Sequence, residues 1–121
     1  MINTHQKLEI PLVEKTREAY KLLFRYLECF PKKERYSMGQ MMEKTLLSIL
    51  EEIFLANSMP KIIKEPCLQK LNAKTELFKT LIRISFELNL LSSNQYLTIS
   101  EKTIEIGKMI GGWIKYVKDE N

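Results

Sequence analysis

Apolar residues recur along most of this chain at intervals of three and four positions, the spacing of an α-helix with one buried face. No stretch alternates apolar and polar residues in the way that a half-buried strand does. The pattern predicts four helices, at about residues 11–30, 37–57, 66–90 and 93–118, and leaves the first ten residues outside them. The sequence therefore predicts an all-α fold.

Prolines suggest where three of these boundaries fall. Pro11 and Pro66 suit the first position of a helix, where the missing N–H is no loss. Pro31 should end the first helix, because the residue before a proline avoids helical backbone angles. Residues 58–65, with a further proline and mixed charge, are predicted to form a connecting loop.

Two capping boxes are predicted at helix starts. Ser37 precedes Gln40 by three residues, and Ser92 precedes Gln95 by the same spacing. In such a pair the serine hydroxyl and the glutamine side chain each satisfy a main-chain N–H of the first turn. The pattern therefore predicts that the second and fourth helices begin beside Ser37 and Ser92.

Each predicted helix has one inner face, and short loops between four such helices predict an antiparallel up-down-up-down four-helix bundle in a single domain, residues 1–121. The inner positions are Tyr20, Leu23, Leu27 and Phe30; Met38, Met42, Thr45, Leu46, Ile49, Ile53 and Ala56; Leu71, Phe78, Leu81, Ile82, Ser85 and Leu88; and Tyr96, Ile99, Thr103, Ile106, Ile110, Trp113 and Val117. Leu47, Leu50 and Phe54 widen the apolar surface of the second helix beyond one face. In a bundle this small, another subunit is the natural partner for them.

Composition fits a soluble chain of ordinary domain size. The 121 residues are 45% apolar and 28% charged, and no run approaches the ~18 apolar residues of a membrane span. The N-terminus lacks the apolar core of a signal peptide, so a cytoplasmic location without membrane contact is expected. Cys29 and Cys67 match no short metal or redox spacing, and we expect buried thiols, with a disulfide or a reactive thiol as the alternative.

The sequence contains few residues that could form a catalytic site. His5 is the sole histidine and Asp119 the sole aspartate, so neither a triad base with an evident partner nor a di-iron ligand set can be built. Neighbouring carboxylates are interpreted as solvated faces or subunit ion pairs: Glu51 with Glu52, and Glu101 with Glu105. The sequence predicts a protein that is not an enzyme and holds no metal or other cofactor.

Positive charge is grouped along the chain, whose formal net charge is +4. The groups are Arg17, Lys21 and Arg25 on the first helix, Lys32, Lys33 and Arg35 in the first loop, Lys79 and Arg83 on the third helix, and Lys108 and Lys115 on the fourth. Each group alone is explained by solubility. Together they could neutralise phosphates in a sequence-tolerant contact with nucleic acid.

Three segments resemble the accessory variability determinant (Avd) proteins of diversity-generating retroelements. They are "FPKKERYSMGQMMEKTLLSILEEIFLANS" (Phe30 to Ser58), "LNAKTELFKTLIRISFELNLLSSNQY" (Leu71 to Tyr96) and "EIGKMIGGWIK" (Glu105 to Lys115). The resemblance implies a small basic four-helix bundle that assembles as a pentameric ring, in a bacterial, phage or archaeal host cell. It also implies binding to nucleic acid and to the element's reverse transcriptase, in support of mutagenic cDNA synthesis from template RNA.

The resemblance makes the basic groups candidates for contacts to RNA, DNA or the transcriptase. Arg83 lies within a matching stretch, and Lys108 stands where the motif commonly has arginine. The alternative is an oligomeric scaffold for protein partners without significant affinity for nucleic acid.

Three of the four glycines surround a tryptophan near the C-terminus, at Gly107, Gly111, Gly112 and Trp113. Glycine costs about 0.5–1 kcal/mol relative to alanine inside a helix, so the missing side chains should serve a purpose. We interpret them as points where backbones approach closely, in the bundle or at a subunit interface, with Trp113 filling the adjacent space. Gly39 is interpreted as a close-packing point at the start of the second helix.

Overall fold

The computed structural model describes the backbone of residues 4–120 and the side chains of residues 11–119. Within that part of the chain there are four long helices and no strand, so the all-α prediction is confirmed. The helices are α1 (Thr4–Leu27), α2 (Gln40–Ser58), α3 (Lys61–Glu87) and α4 (Ser93–Glu120). A helical turn (Lys32–Glu34) and a π-helical turn (Arg35–Gly39) form a lead-in segment that joins α1 to α2.

Both helices that were expected to start at a proline start before it. Pro11 lies inside α1 and Pro66 inside α3, so the predicted starts were wrong, as was the loop over residues 58–65. A proline removes one main-chain hydrogen bond from a helix interior. Leu12 and Leu68, which follow the two prolines closely, are fully buried. Their burial favours continuing the helix despite the lost bond.

Helix α3 ends earlier than predicted, and its end corrects one inner position. Asn89 has a φ of 61°, the left-handed backbone that closes many helices and that asparagine tolerates. The N–H of Leu90 then donates to the carbonyl of Ser85 at 2.8 Å. This reversal leaves Leu88 exposed and buries Leu91 in its place.

One capping box is confirmed and the other is wrong. At the start of α4, the Ser92 N–H donates to Gln95 Oε1 (3.0 Å), and the Gln95 N–H donates to Ser92 Oγ (3.2 Å). Ser37 instead donates its hydroxyl to the carbonyl of Lys33 at 3.1 Å. Helical backbone already runs upstream of Ser37, so no free first-turn N–H is present there to cap.

Each long helix packs against two others: α1 against α2 and α4, and α3 against α2 and α4. One shared core fills the space between them. It includes Leu12, Leu23, Leu27, Phe30, Met42, Leu46, Ile49, Ile53, Leu68, Leu71, Phe78, Ile82, Ile99, Ile106, Ile110, Trp113 and Val117. Of the other predicted inner positions, Tyr20, Met38 and Tyr96 are only partly buried.

The carboxylate of Glu52, predicted to be solvated, is buried between α2 and α3, with 4% of the residue exposed. Lys74 Nζ lies 3.0 Å and Lys70 Nζ 3.4 Å from its Oε1. Two lysines one turn apart on α3 therefore compensate a carboxylate that could not be buried alone. Glu105 forms its ion pair within the chain, with Lys15 of α1 at 2.9 Å.

The two cysteines are free thiols in different surroundings. Cys29 is exposed, so the expectation of a buried thiol was wrong there. Cys67 is half-buried, and its Sγ lies 3.8 Å from Glu52 Oε2. Burial, together with the nearby carboxylate, raises the pKa of the Cys67 thiol. A raised pKa disfavours the reactive thiolate.

Candidate binding surfaces

The lead-in segment uses one of the predicted binding residues for structure. Arg35 donates from Nε to the carbonyl of Leu27 (3.2 Å) and from Nη2 to the carbonyls of Glu28 (3.0 Å) and Phe30 (3.4 Å). These carbonyls belong to the last residue of α1 and to the turn that follows it, and that of Leu27 also accepts the Phe30 N–H at 3.1 Å. Arg35 thus caps α1 from across the loop, a contact that the spacing of basic residues did not reveal.

Gly39 closes the same corner. A Cβ added there would lie 3.1 Å from Leu27 Cδ2, so this glycine allows the start of α2 to pack closely on the end of α1. The "FPKKERYSMG" stretch is therefore accounted for by packing: Phe30 is buried, Arg35 caps and Gly39 leaves room.

A cavity of about 140 Å³ opens between α1 and α2, and we call it the α1/α2 groove. It brings together residues for which the sequence predicted separate roles. Arg17 and Lys21 were predicted to bind nucleic acid or the transcriptase, and Leu47 and Leu50 to contact another subunit. Arg17 Nη1 pairs with Glu14 Oε1 at 2.7 Å. The groove has a largely apolar floor and a basic rim, and it is lined by Thr16, Arg17, Tyr20, Lys21, Leu46, Leu47 and Leu50.

A neighbouring cavity of about 290 Å³ lies at the lead-in segment and was not predicted. Exposed Phe24 and Tyr36 line it together with the carboxylates of Glu28 and Glu43. Tyr20 donates its hydroxyl to Glu43 Oε1 at 3.0 Å, and burial together with this carboxylate raises the pKa of Tyr20. Phe24 and Tyr36 lie on different elements, so their positions in the sequence gave no sign that they line one cavity.

The α3/α4 groove is a cavity of about 180 Å³ that contains the third basic group. Arg83 Nη1 donates to the Tyr96 hydroxyl at 3.4 Å, and this contact, with Glu87, raises the pKa of Arg83. The Tyr96 ring stacks on Phe86 with centroids 4.3 Å apart. The groove is lined by Lys79, Ile82, Arg83, Tyr96, Ser100, Thr103 and Ile104.

The basic groups do not form one stripe. Because α1 pairs with α2 and α3 pairs with α4, the two grooves open on opposite sides of the helix assembly. All ten predicted basic residues are exposed: Arg17, Lys21, Arg25, Lys32, Lys33, Arg35, Lys79, Arg83, Lys108 and Lys115. Lys79 pairs with Glu76 at 3.2 Å, so part of this charge is locally compensated.

The glycines of α4 are not explained by packing within the chain. A Cβ added at Gly107, Gly111 or Gly112 would meet nothing within 4 Å. The close-approach interpretation is therefore wrong for the interior of this chain. Trp113 is fully buried, and Lys64 Nζ lies 5.9 Å from its ring centre. Phe54, the remaining predicted subunit contact, is exposed on α2.

The described residues contain neither a cluster of metal ligands nor a helix suited to a membrane. No three histidine, cysteine, aspartate or glutamate side chains among them are grouped to hold a metal ion. The side chain of His5 lies outside the described part. Within the same limits, no helix is both long and apolar enough to cross a membrane.

Comparison with known proteins identifies the family. No curated protein matches the chain. The family model described as bAvd-like matches residues 10–117, which include all three segments that carry the resemblance to Avd proteins. The chain therefore belongs to the bAvd-like family.

Proposed function

We propose that this protein is a non-catalytic accessory protein of a diversity-generating retroelement. In this role it binds nucleic acid and the element's reverse transcriptase, and supports mutagenic cDNA synthesis from template RNA in the cytoplasm of a bacterial, phage or archaeal host. The family match over residues 10–117 carries the proposal, since the family is an accessory, non-catalytic one.

The proposal includes an up-down-up-down bundle that assembles as a homopentameric ring. Two ion pairs support an antiparallel arrangement of α1 and α4. Lys15 pairs with Glu105 and Glu18 pairs with Lys102, so residue numbers increase along α1 in the direction in which they decrease along α4. A two-residue connection between α2 and α3 is also typical of antiparallel helices. Exposed apolar residues on α2, and glycines on α4 that pack against nothing in the chain, support a subunit interface.

Nucleic-acid binding is supported by the exposure of the basic groups. Ion pairs between exposed side chains contribute only about 0–1 kcal/mol, so pairs such as Lys79–Glu76 and Arg83–Glu87 can exchange for a phosphate at little cost. A pentamer would also multiply the formal charge of +4 fivefold, which strengthens attraction to a polyanion.

A protein scaffold without affinity for nucleic acid is the second candidate. The observation that favours it is the α1/α2 groove, whose floor is apolar although its rim is basic. A phosphate group would contact only the basic rim, whereas a bound protein helix would contact both the basic rim and the apolar floor.

Primer extension on the element's template RNA, by its reverse transcriptase with and without this protein, tests the proposal. We expect cDNA yield to rise with the protein present, and to fall for Lys79→Glu combined with Arg83→Glu. Glu76→Gln combined with Glu87→Gln keeps both cations and is the matched control. Equal yield with and without the protein would contradict the accessory role.

A further inference from the structure

Six residues form a straight line on the outer surface of α4, which we call the α4 outer stripe: Leu97, Glu101, Ile104, Lys108, Gly111 and Lys115. They follow one another at alternating steps of four and three residues, the spacing of the contact line between two helices that pack along each other. None of the six is buried, and Leu97 and Ile104 are 57% and 46% exposed. Within residues 11–119 no helix covers this line, although Ile104 also borders the α3/α4 groove.

The α1/α2 groove has matching features. Leu47 is exposed and Leu50 half-buried along its floor, which suits apolar side chains such as those of Leu97 and Ile104. Phe24 of α1 is exposed one turn beyond Lys21 and lengthens this apolar surface. Burial of exposed apolar side chains at about 25 cal/mol per Å² favours covering both surfaces at once.

Two positions on each surface also carry opposite charges, while Lys115 adds a further cation to the stripe and Arg17 one to the rim. Lys21 on the rim and Glu101 on the stripe are exposed, and neither takes part in an ion pair or hydrogen bond with another described residue. Glu14 and Lys21 are seven residues apart on α1, as are Glu101 and Lys108 on α4, a rise of about 10 Å in each helix. An antiparallel alignment of the two helices therefore brings Glu101 near Lys21, and Lys108 near Glu14, whose carboxylate also pairs with Arg17 within the chain.

We propose that the α4 outer stripe of one copy of this chain lies along the α1/α2 groove of the next copy. The two surfaces lie on different sides of one chain, so the contact is head-to-tail, and a pair of copies leaves one stripe and one groove free for further copies. Gly111 then has a purpose, because it lies on the stripe and leaves room for the neighbouring backbone. This inference rests on the self-association included in the proposed function and names the surfaces that form it.

Charge reversal with recovery tests the contact. The mass of the folded protein would be measured by light scattering over a concentration series. We expect Lys21→Glu and Glu101→Lys each to raise the dissociation constant about tenfold, since like charges then face each other. The double variant restores opposite charges and should recover most of the lost affinity. Lys33→Glu and Asp119→Lys reverse exposed charges outside the contact and are expected to leave the mass unchanged.

Other results would overturn this contact in distinguishable ways. Wild-type mass in every variant would place the interface elsewhere and leave the proposed function intact. Loss in both single variants without recovery in the double variant would mean that the two side chains do not face each other. If Lys21→Glu lowers RNA binding at unchanged mass, the groove serves nucleic acid instead. A wild-type protein that is monomeric throughout would overturn the self-association itself.

Discussion

At the scale of single residues, Trp113 anchors the C-terminal half of α4. The side chain is fully buried in the shared core. Replacing a buried tryptophan by alanine leaves a cavity and costs about 3–5 kcal/mol. We expect Trp113→Ala to lower the free energy of unfolding by that amount in urea titrations. Asp119→Ala, exposed near the end of the same helix, should change it by less than about 0.5 kcal/mol. An equally small loss for Trp113→Ala would contradict its burial.

Arg35 provides a second prediction at this scale, because its guanidinium is committed to carbonyls at the end of α1. Arg35→Ala should lower the free energy of unfolding by about 1–2 kcal/mol, which is toward the lower end for hydrogen bonds of charged groups because the guanidinium is partly exposed to water. Lys33→Ala, in the same segment, makes no contact with those carbonyls and is the matched control. Equal stability of the two variants would show that the cap contributes nothing and leave Arg35 available for binding.

At the scale of helix pairs, the buried carboxylate between α2 and α3 should make stability depend on pH. Burial raises the pKa of Glu52, but Lys74 and Lys70 outweigh it, and the pKa lies below its ordinary value of 4.5. A group of this kind contributes stability above its unfolded pKa and loses it as pH falls through the folded pKa. We expect the free energy of unfolding to drop below about pH 4.5 more steeply for wild type than for Glu52→Gln.

The control for this pH dependence is Glu51→Gln, next along α2 and exposed. It should keep the wild-type pH profile. If Glu52→Gln also keeps that profile, the lysines do not hold the Glu52 carboxylate in its charged form in solution.

The α4 glycines give a prediction with two opposed parts. Because a Cβ at Gly111 would meet nothing within 4 Å, Gly111→Ala should stabilise the isolated chain by about 0.5–1 kcal/mol. If Gly111 lies between subunits, the same change should weaken assembly. Unfolding at low protein concentration and light scattering at high concentration measure the two effects. Stabilisation without any loss of mass would remove Gly111 from the subunit interface.

The helices themselves were predictable because the three-to-four spacing of apolar residues directly reflects burial on one face. The start of α4 was predictable from its capping box, but the starts of α1 and α3 were not, since Pro11 and Pro66 are tolerated inside helices that neighbouring buried leucines hold in place. The roles of Glu52 and Arg35 depend on partners from other elements, and one-dimensional spacing carries no record of those contacts. The same holds for the α1/α2 groove, which combines cations of one helix with leucines of another.

At the scale of the whole molecule, two grooves on opposite sides of the helix assembly each combine basic and apolar residues. Lys79 and Arg83 line the α3/α4 groove, while Arg17 and Lys21 rim the α1/α2 groove. These four cations therefore lie in two separate places on a single chain. If copies assemble through the α1/α2 groove, the cations Lys79 and Arg83 on α3 of several subunits become the repeated basic surface that a polyanion can contact.

The central claim, an oligomeric accessory protein that binds nucleic acid, is tested most directly by one titration. Binding of the purified protein to structured RNA and to duplex DNA would be measured across a salt series, with mass read by light scattering in the same samples. We predict an oligomer whose affinity for both polyanions falls as salt is added. The logarithm of the binding constant should fall linearly with the logarithm of the salt concentration, and the slope gives the number of neutralised phosphates. An oligomer that binds neither polyanion at low salt would contradict it, and would support a scaffold for protein partners.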